Sequence, residues 1–399
     1  MNGTRWRLNV GLFSGCFALV ITGNVLLVTV TALVGQLLAA DKSLATLPAA
    51  FMWLGTAVGT VPASFLMRRI GRRAGFVFGA VIGMAGAALA AQAVYVESFA
   101  LLCFGIALIG TYNGFSYYLR FAAPEVAPDA FRGRAISLVL AGGVVAALLG
   151  PWLAEASRDL VASHKFMGAF LAIGGLAAAV LVMVAFVDIP KPSAQALRGG
   201  RPLSEIARQP RFVVAVLGGV VSYGVMILLM TVTPLAMVAN AHGFGAAALV
   251  IQWHVLGMYA PSFFTGHLIR RFGVLMVMVW GAVLIVACLG VALTGQTMAQ
   301  FWLALTLLGV GWSFLYIGAT TLLTEVHSIA ERAKTQGVNE FMIFGVAGLC
   351  SYLSGSLHHY FGWDMLNLLA LPPVLIVLAA TLWLARRRRA APGVSPAAD

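Results

Sequence analysis

Charge is what this chain has least of. Only 10% of its 399 residues are charged and 13 are acidic, and its apolar runs reach about twenty residues, the length that crosses a bilayer core. A water-soluble α/β enzyme would break such runs every few residues with turn signals and charge, so that class is excluded. No nucleophile set, phosphate loop or acid pair is present, which also speaks against an enzyme. The four cysteines, Cys16, Cys103, Cys288 and Cys350, all fall inside apolar runs and form no CxxC pair. They read as small apolar fillers. A cleavable leader is missing too, because the first apolar block is too long for one and lacks a small-residue cleavage site. It is expected to stay as a span.

What is present is hydrophobicity, at 61% of residues, in blocks that begin near residues 9, 44, 74, 98, 134, 165, 211, 246, 274, 298, 337 and 363. These are twelve candidate transmembrane helices. The formal net charge of +12 could point to nucleic acid, but its placement follows membrane topology instead. With an even number of spans, one side collects Arg5, Arg7, Arg68, Arg69, Arg72, Arg73, Arg120, Arg132, Arg134, Lys191, Arg198, Arg201, Arg208, Arg211, Arg270, Arg271, Arg332, Lys334 and Arg386 to Arg389, whereas only Lys42, Arg158 and Lys165 fall opposite. The positive-inside rule then places both termini in the cytoplasm of a multi-pass inner-membrane protein that meets lipid and not nucleic acid.

The chain also repeats. At an offset of 202 residues, Thr29-Val30-Thr31-Ala32-Leu33 matches Thr231-Val232-Thr233-Pro234-Leu235, Leu54-Gly55 matches Leu256-Gly257, and Gly71 matches Gly273. Six spans are therefore duplicated in the same orientation. The expected organisation is an N-terminal six-helix bundle over residues 1–187, a hydrophilic cytoplasmic linker over 188–210, a C-terminal bundle over 211–390 and a cytoplasmic tail over 391–399. The loop SFLMRRIGRRAG from Ser64 and the loop GHLIRRFG from Gly266 resemble the signature loop of the major facilitator superfamily. In that family the loop's acid pairs across the two halves to hold one state; here Arg68 and Arg270 stand at its position, and Ser64 replaces the first glycine. The resemblance implies an all-α membrane fold, with two bundles rocking around a midplane site.

Polar groups inside a membrane are costly, so each is a functional candidate. The acids lie near span ends or in loops, with Glu340 the nearest to a deep position after the imidazole of His254. Span 7 carries Met226 and Met230, and span 8 carries His254 and Met258, each pair at i, i+4 and so on one helix face. At about 1.5 Å per residue, Met230 and His254 lie roughly 12 to 14 Å below the outer surface, and Met226 and Met258 roughly 18 to 20 Å. Thioether and imidazole suit Cu(I) over hard cations, which require oxygen. Gap-filling methionine and an interhelical histidine bond are the structural alternative.

The MxxxM followed 28 residues later by HxxxM is similar to the CcoA-type copper importers, a bacterial branch of the superfamily. That resemblance implies Met226, Met230, His254 and Met258 as metal ligands, copper as transported substrate and not as cofactor, delivery toward cbb3-type cytochrome c oxidase through a cytoplasmic copper acceptor, and a monomer. Riboflavin-type importers share the TVTPLAM and GMYAPSFFTG surroundings. An organic cargo is therefore the alternative, with Asn24, Tyr112, Asn113, Tyr117, Gln252, Trp253 and Asn339 as cavity-lining candidates, since aromatic and amide groups suit a flat heterocycle. His242, His358 and His359 are candidates for outer metal capture. A membrane metal sensor or assembly factor that binds without transport is the second alternative.

Overall fold

The computed structural model describes residues 5–41, 44, 47–189 and 199–390, and every regular element among them is helical. In order these are α1 (Arg5–Leu38), α2 (Leu47–Ile70), α3 (Arg72–Tyr95), α4 (Phe99–Ser116), α5 (Leu119–Val126), α6 (Arg132–Ala141), α7 (Gly143–Arg158), α8 (Met167–Ala185), the short α9 (Leu203–Ala207), α10 (Pro210–Ala239), α11 (Phe244–Tyr259), α12 (Ser262–Phe272), α13 (Val274–Ala292), α14 (Met298–Thr324) and α15 (Arg332–Ala390). Eleven segments among the described residues are long and apolar enough to cross a membrane. The first part of α15 supplies a further crossing, the one expected to begin near residue 337. This 59-residue helix is interrupted at Gly362, where φ is 75°, and its opening turns carry Gln336, Asn339 and Glu340 on a buried face. The expected start of the last span near residue 363 coincides with that break.

Three expected spans are each built from two helices. α4 passes to α5 through Tyr117 and Tyr118, α6 to α7 through Gly142, and α11 to α12 through Ala260 and Pro261. Pro261 lacks the N–H that would continue the ladder. At Gly142 the reason is contact: a Cβ there would collide with the carbonyl oxygen of Ser14 on α1. Small residues elsewhere let backbones approach, as expected where lipid gives helices no hydrophobic reason to associate. A Cβ on Gly55 or Gly110 would strike the carbonyl oxygens of Ala107 and Met52 respectively, which binds α2 to α4. Gly309 plays the same part between α14 and the His254 carbonyl of α11.

The repeat reappears as conformation. Gly71, joining α2 to α3, has φ 92° and ψ 157°, and Gly273, joining α12 to α13, has φ 85° and ψ 153°. L side chains rarely adopt that backbone. The two positions separated by 202 residues thus need glycine for the same turn.

Candidate functional site

The arginine-rich end is sealed between the first six crossings and the last six. Glu125 at the end of α5 accepts from Arg72 on α3 and, at 2.8 Å, from Arg332 on α15. Arg72 also donates to Gln336 at 3.0 Å, and Gln336 contacts the His327 ring at 3.2 Å. Close backbone contact reinforces these charges: a Cβ on Gly266 of α12 would sit 2.7 Å from the Arg134 Cα of α6, and one on Gly337 of α15 would sit 2.6 Å from the Ser64 hydroxyl of α2. Glu125 therefore supplies, from another helix, the carboxylate that neither signature loop provides. Beside it, Arg201 ties the end of the linker to Glu331 and to the Val326 carbonyl. That bond holds the Glu331 carboxyl well below the usual carboxylate range.

Deeper in, the guanidinium of Arg120 donates to both carboxylate oxygens of Glu340 at 2.6 and 2.7 Å, and Asn339 donates to the same carboxylate at 2.7 Å. Both members are fully buried. Arg120 was expected among the loop charges; it lies inside α5, within the protein. The positive-inside count could not distinguish a charge beyond the bilayer from one paired inside the bundle. Desolvating two ions is costly unless geometry and extra hydrogen bonds repay it, and here the pair is charge-neutral, doubly bonded and covered by rings. The Arg120 guanidinium carbon lies 4.7 Å from the centroids of both Phe121 and Tyr316.

Above this pair stands a continuous aromatic cluster drawn from both halves. Tyr117 stacks on Phe344 at 4.7 Å with the planes 17° apart, and Trp53 stacks on the same ring at 6.2 Å and 17°. Tyr223 meets Trp53, Trp312, Tyr316 and Phe344 edge to face, Trp312 stacks on Tyr316 at 4.7 Å, and Phe17 meets Tyr259 at 6.2 Å. Several polar atoms within it are buried without a hydrogen-bond partner: Trp312 Nε1, the Tyr316 hydroxyl and Arg120 Nε. Buried donors ordinarily find partners. A cluster of π faces edged by unused donors is suited to a flat molecule with ring nitrogens and carbonyls.

Part of the expected cavity set joins this cluster. Asn113 donates to Asn24 at 2.8 Å and Asn24 donates to the Tyr117 hydroxyl at 3.3 Å, a chain that ends on the stacked ring. Asn339 serves the ion pair, and Tyr112 is buried nearby with its hydroxyl unpartnered. Gln252 is half-buried on α11. Trp253 lies apart from the cluster, 43% exposed and edge to face with Trp302. Trp53, Tyr223, Tyr259, Trp312, Tyr316 and Phe344 were not singled out from sequence. Aromatics are common in membrane helices, and nothing local shows which ones face the other half.

Among the expected metal ligands, Met226, His254 and Met258 are buried and Met230 is half-buried. His254 turns toward α14, with Nδ1 2.8 Å from the Leu305 carbonyl. That acceptor fixes the proton on Nδ1 and leaves Nε2 with a free lone pair, and Nε2 has no partner in the protein. Of the outer histidines, His242 contacts the Gln296 carbonyl at 2.9 Å. His358 is half-buried on α15. The side chain of His359 lies outside the described residues.

A twelve-crossing helical protein with a polar and aromatic site between its halves, sealed at one end, is a membrane transporter and not an enzyme. The family model described as Major Facilitator Superfamily matches residues 12–260 and 216–399, and the chain belongs to that superfamily. It is 42% identical over 380 residues to the riboflavin transporter RfnT of Brucella anthropi, covering 94% of this chain and 96% of that one. Among solved structures, it resembles FucP in the outward conformation with a TM-score of 0.76 at 18% identity, covering 96% of this chain and 99% of that one. A bacterial homologue of the iron transporter ferroportin, in the outward-facing state, gives 0.73 at 13% identity, with 95% and 99% coverage. The curated relative thus names riboflavin, the alternative cargo, where the paired methionine motifs had led to copper.

Proposed function

We propose that this chain imports riboflavin or a closely similar flat heterocycle across the bacterial cytoplasmic membrane, with both termini in the cytoplasm. The observation that carries the reading is the aromatic cluster of Trp53, Tyr117, Tyr223, Trp312, Tyr316 and Phe344, edged by buried donors without partners. The 42% identity to a riboflavin transporter supports it independently. Riboflavin offers a planar ring system for stacking, carbonyl oxygens and ring nitrogens for Trp312 Nε1, the Tyr316 hydroxyl and Arg120 Nε, and a polar side chain for the Asn24–Asn113 pair. The cytoplasmic end is the sealed, arginine-rich one, so cargo enters from outside and leaves once the Arg72–Glu125–Arg332 contacts part. Arg120 and Glu340, contributed by opposite halves, are drawn apart or re-paired in that step.

The test is riboflavin uptake in a strain unable to make its own, with binding to the purified protein followed by quenching of flavin fluorescence. Uptake by the wild type and its loss in Tyr117→Leu and Phe344→Leu is the expected result. Wild-type protein that neither quenches nor transports the flavin would sink the proposal.

One observation favours a second reading, Cu(I) import. His254 presents an unpartnered Nε2 lone pair one helical turn from Met258, and a soft ion could use it with Met226 and Met230 before passing to a cytoplasmic copper acceptor. Copper uptake that falls in His254→Ala and Met226→Leu while riboflavin uptake is unchanged would establish it. Counterflow of labelled cargo in proteoliposomes separates either importer from a sensor that binds without transport.

A further inference from the structure

A lateral crevice of about 520 Å³ opens at the arginine-rich end between α1, α6, α7 and α12, and none of the stacked rings of the aromatic cluster lines it. Its mouth is a ladder of cations and rings. Arg7 lies 5.5 Å from the Trp6 ring, Trp6 lies 5.3 Å from Phe131, and Arg270 lies 6.0 Å from Phe131. Arg134 lines the same mouth. Ion pairs among the described residues use Arg5, Arg72, Arg120, Arg132, Arg158, Arg201, Arg332 and Arg388; Arg7, Arg134 and Arg270 take part in none. Arg7 and Arg270 are exposed and Arg134 is half-buried.

Behind the mouth the walls are apolar. They run from Arg134 to Val145, with exposed Phe263 on the α12 side, a rise of roughly 16 Å along the helices. One leaflet of hydrocarbon is about half of a core roughly 30 Å thick, so an apolar slot of that length, capped by cations and an interfacial tryptophan, matches a phospholipid in dimensions and charge. We propose that the crevice binds an anionic phospholipid of the cytoplasmic leaflet, its phosphate held by Arg7, Arg134 and Arg270 and one acyl chain laid between α7 and Phe263. Guanidinium groups recognise phosphate oxygens in pairs. Arg270 stands where the superfamily's signature loop carries an acid, and at this mouth an acid would repel the headgroup that the arginine attracts. Because α1 and α6 belong to one half and α12 to the other, the lipid bridges them and favours the sealed end.

The test is native mass spectrometry of the full-length protein in detergent, titrated with dioleoyl phosphatidylglycerol or dioleoyl phosphatidylcholine. The anionic lipid should bind about tenfold more tightly, each of the exposed substitutions Arg7→Gln and Arg270→Gln should lower that preference several-fold, and Arg270→Lys should keep most of it. Equal binding of the two lipids, or a preference untouched by both glutamine variants, overturns the proposal. So does displacement of the lipid by equimolar glycerol 3-phosphate, which would mark a site for free phosphate esters.

Discussion

Arg120 and Glu340, separated by 220 residues in sequence, meet at 2.6 Å with no exposure of either side chain. One comes from the fourth crossing and the other from the eleventh, so a fully buried charge pair joins the two halves of the transporter at the base of the aromatic cluster. Removing one partner leaves an uncompensated charge in a dry interior. Glu340→Leu should therefore cost about 3 to 5 kcal/mol of stability, read as a lowered melting temperature in detergent. Arg120→Met combined with Glu340→Leu should recover most of the loss. A double variant as unstable as the single would show that the pair's value lies in other contacts.

Trp312 presents a stacked ring and an unpartnered N–H in the same place. Trp312→Phe keeps a ring and removes the donor. One neutral hydrogen bond contributes about 0.5 to 1.5 kcal/mol, so riboflavin affinity should fall roughly two- to tenfold while the melting temperature barely moves. Unchanged affinity in fluorescence titration would remove Trp312 Nε1 from the binding set.

Gly309 seats α14 against the α11 backbone at His254. Gly309→Leu should push α11 away, strain the His254–Leu305 hydrogen bond one turn further on, and destabilise the protein by about 1 to 3 kcal/mol. Gly290→Leu is the matched control, because a Cβ there meets nothing within 4 Å. Equal melting temperatures for the two variants would contradict the close-approach argument.

The sealed end should loosen in acid. Burial lowers the His327 pKa to about 4 from an ordinary 6.5, and the neutral ring is the form that accepts from Gln336. A histidine held neutral contributes fully above pH 6.5, and that contribution is lost progressively as pH falls below it toward about 4. Glu331 responds in the same direction but at lower pH, since Arg201 holds its carboxyl well below the ordinary 4.5 and that contribution starts to fall only below this value. Spin labels placed on α2 and α15 at this end should move apart as pH drops through that range, and His327→Gln should flatten the response. Separation that persists in the glutamine variant would assign the pH dependence elsewhere.

Much of this protein is local and could be read along the chain. Hydrophobic runs mark the spans, arginine placement orders the loops, and the 202-residue offset between Gly71 and Gly273 foretells two turns with nearly the same dihedral angles. The split of α4 from α5, by contrast, has no strong local cause. Nor does sequence separate Trp253, exposed beside Trp302, from Trp312, buried at the half interface. Both sit in apolar helices with similar neighbours.

What each segment does relative to the bilayer is legible along the chain, because transfer of a side chain into hydrocarbon depends on that side chain and its near neighbours. Which helix faces meet across the halves emerges from the folded chain alone: Arg120 with Glu340, Tyr117 with Phe344, and Glu125 with Arg332. Backbones approach across the halves at Gly266 against Arg134 and at Gly337 against Ser64, while Gly55, Gly110, Gly142 and Gly309 set the packing within each half. Inside a membrane most helix faces are apolar enough for lipid, so close packing between backbones and a few buried polar pairs select the partners, and hydropathy does not.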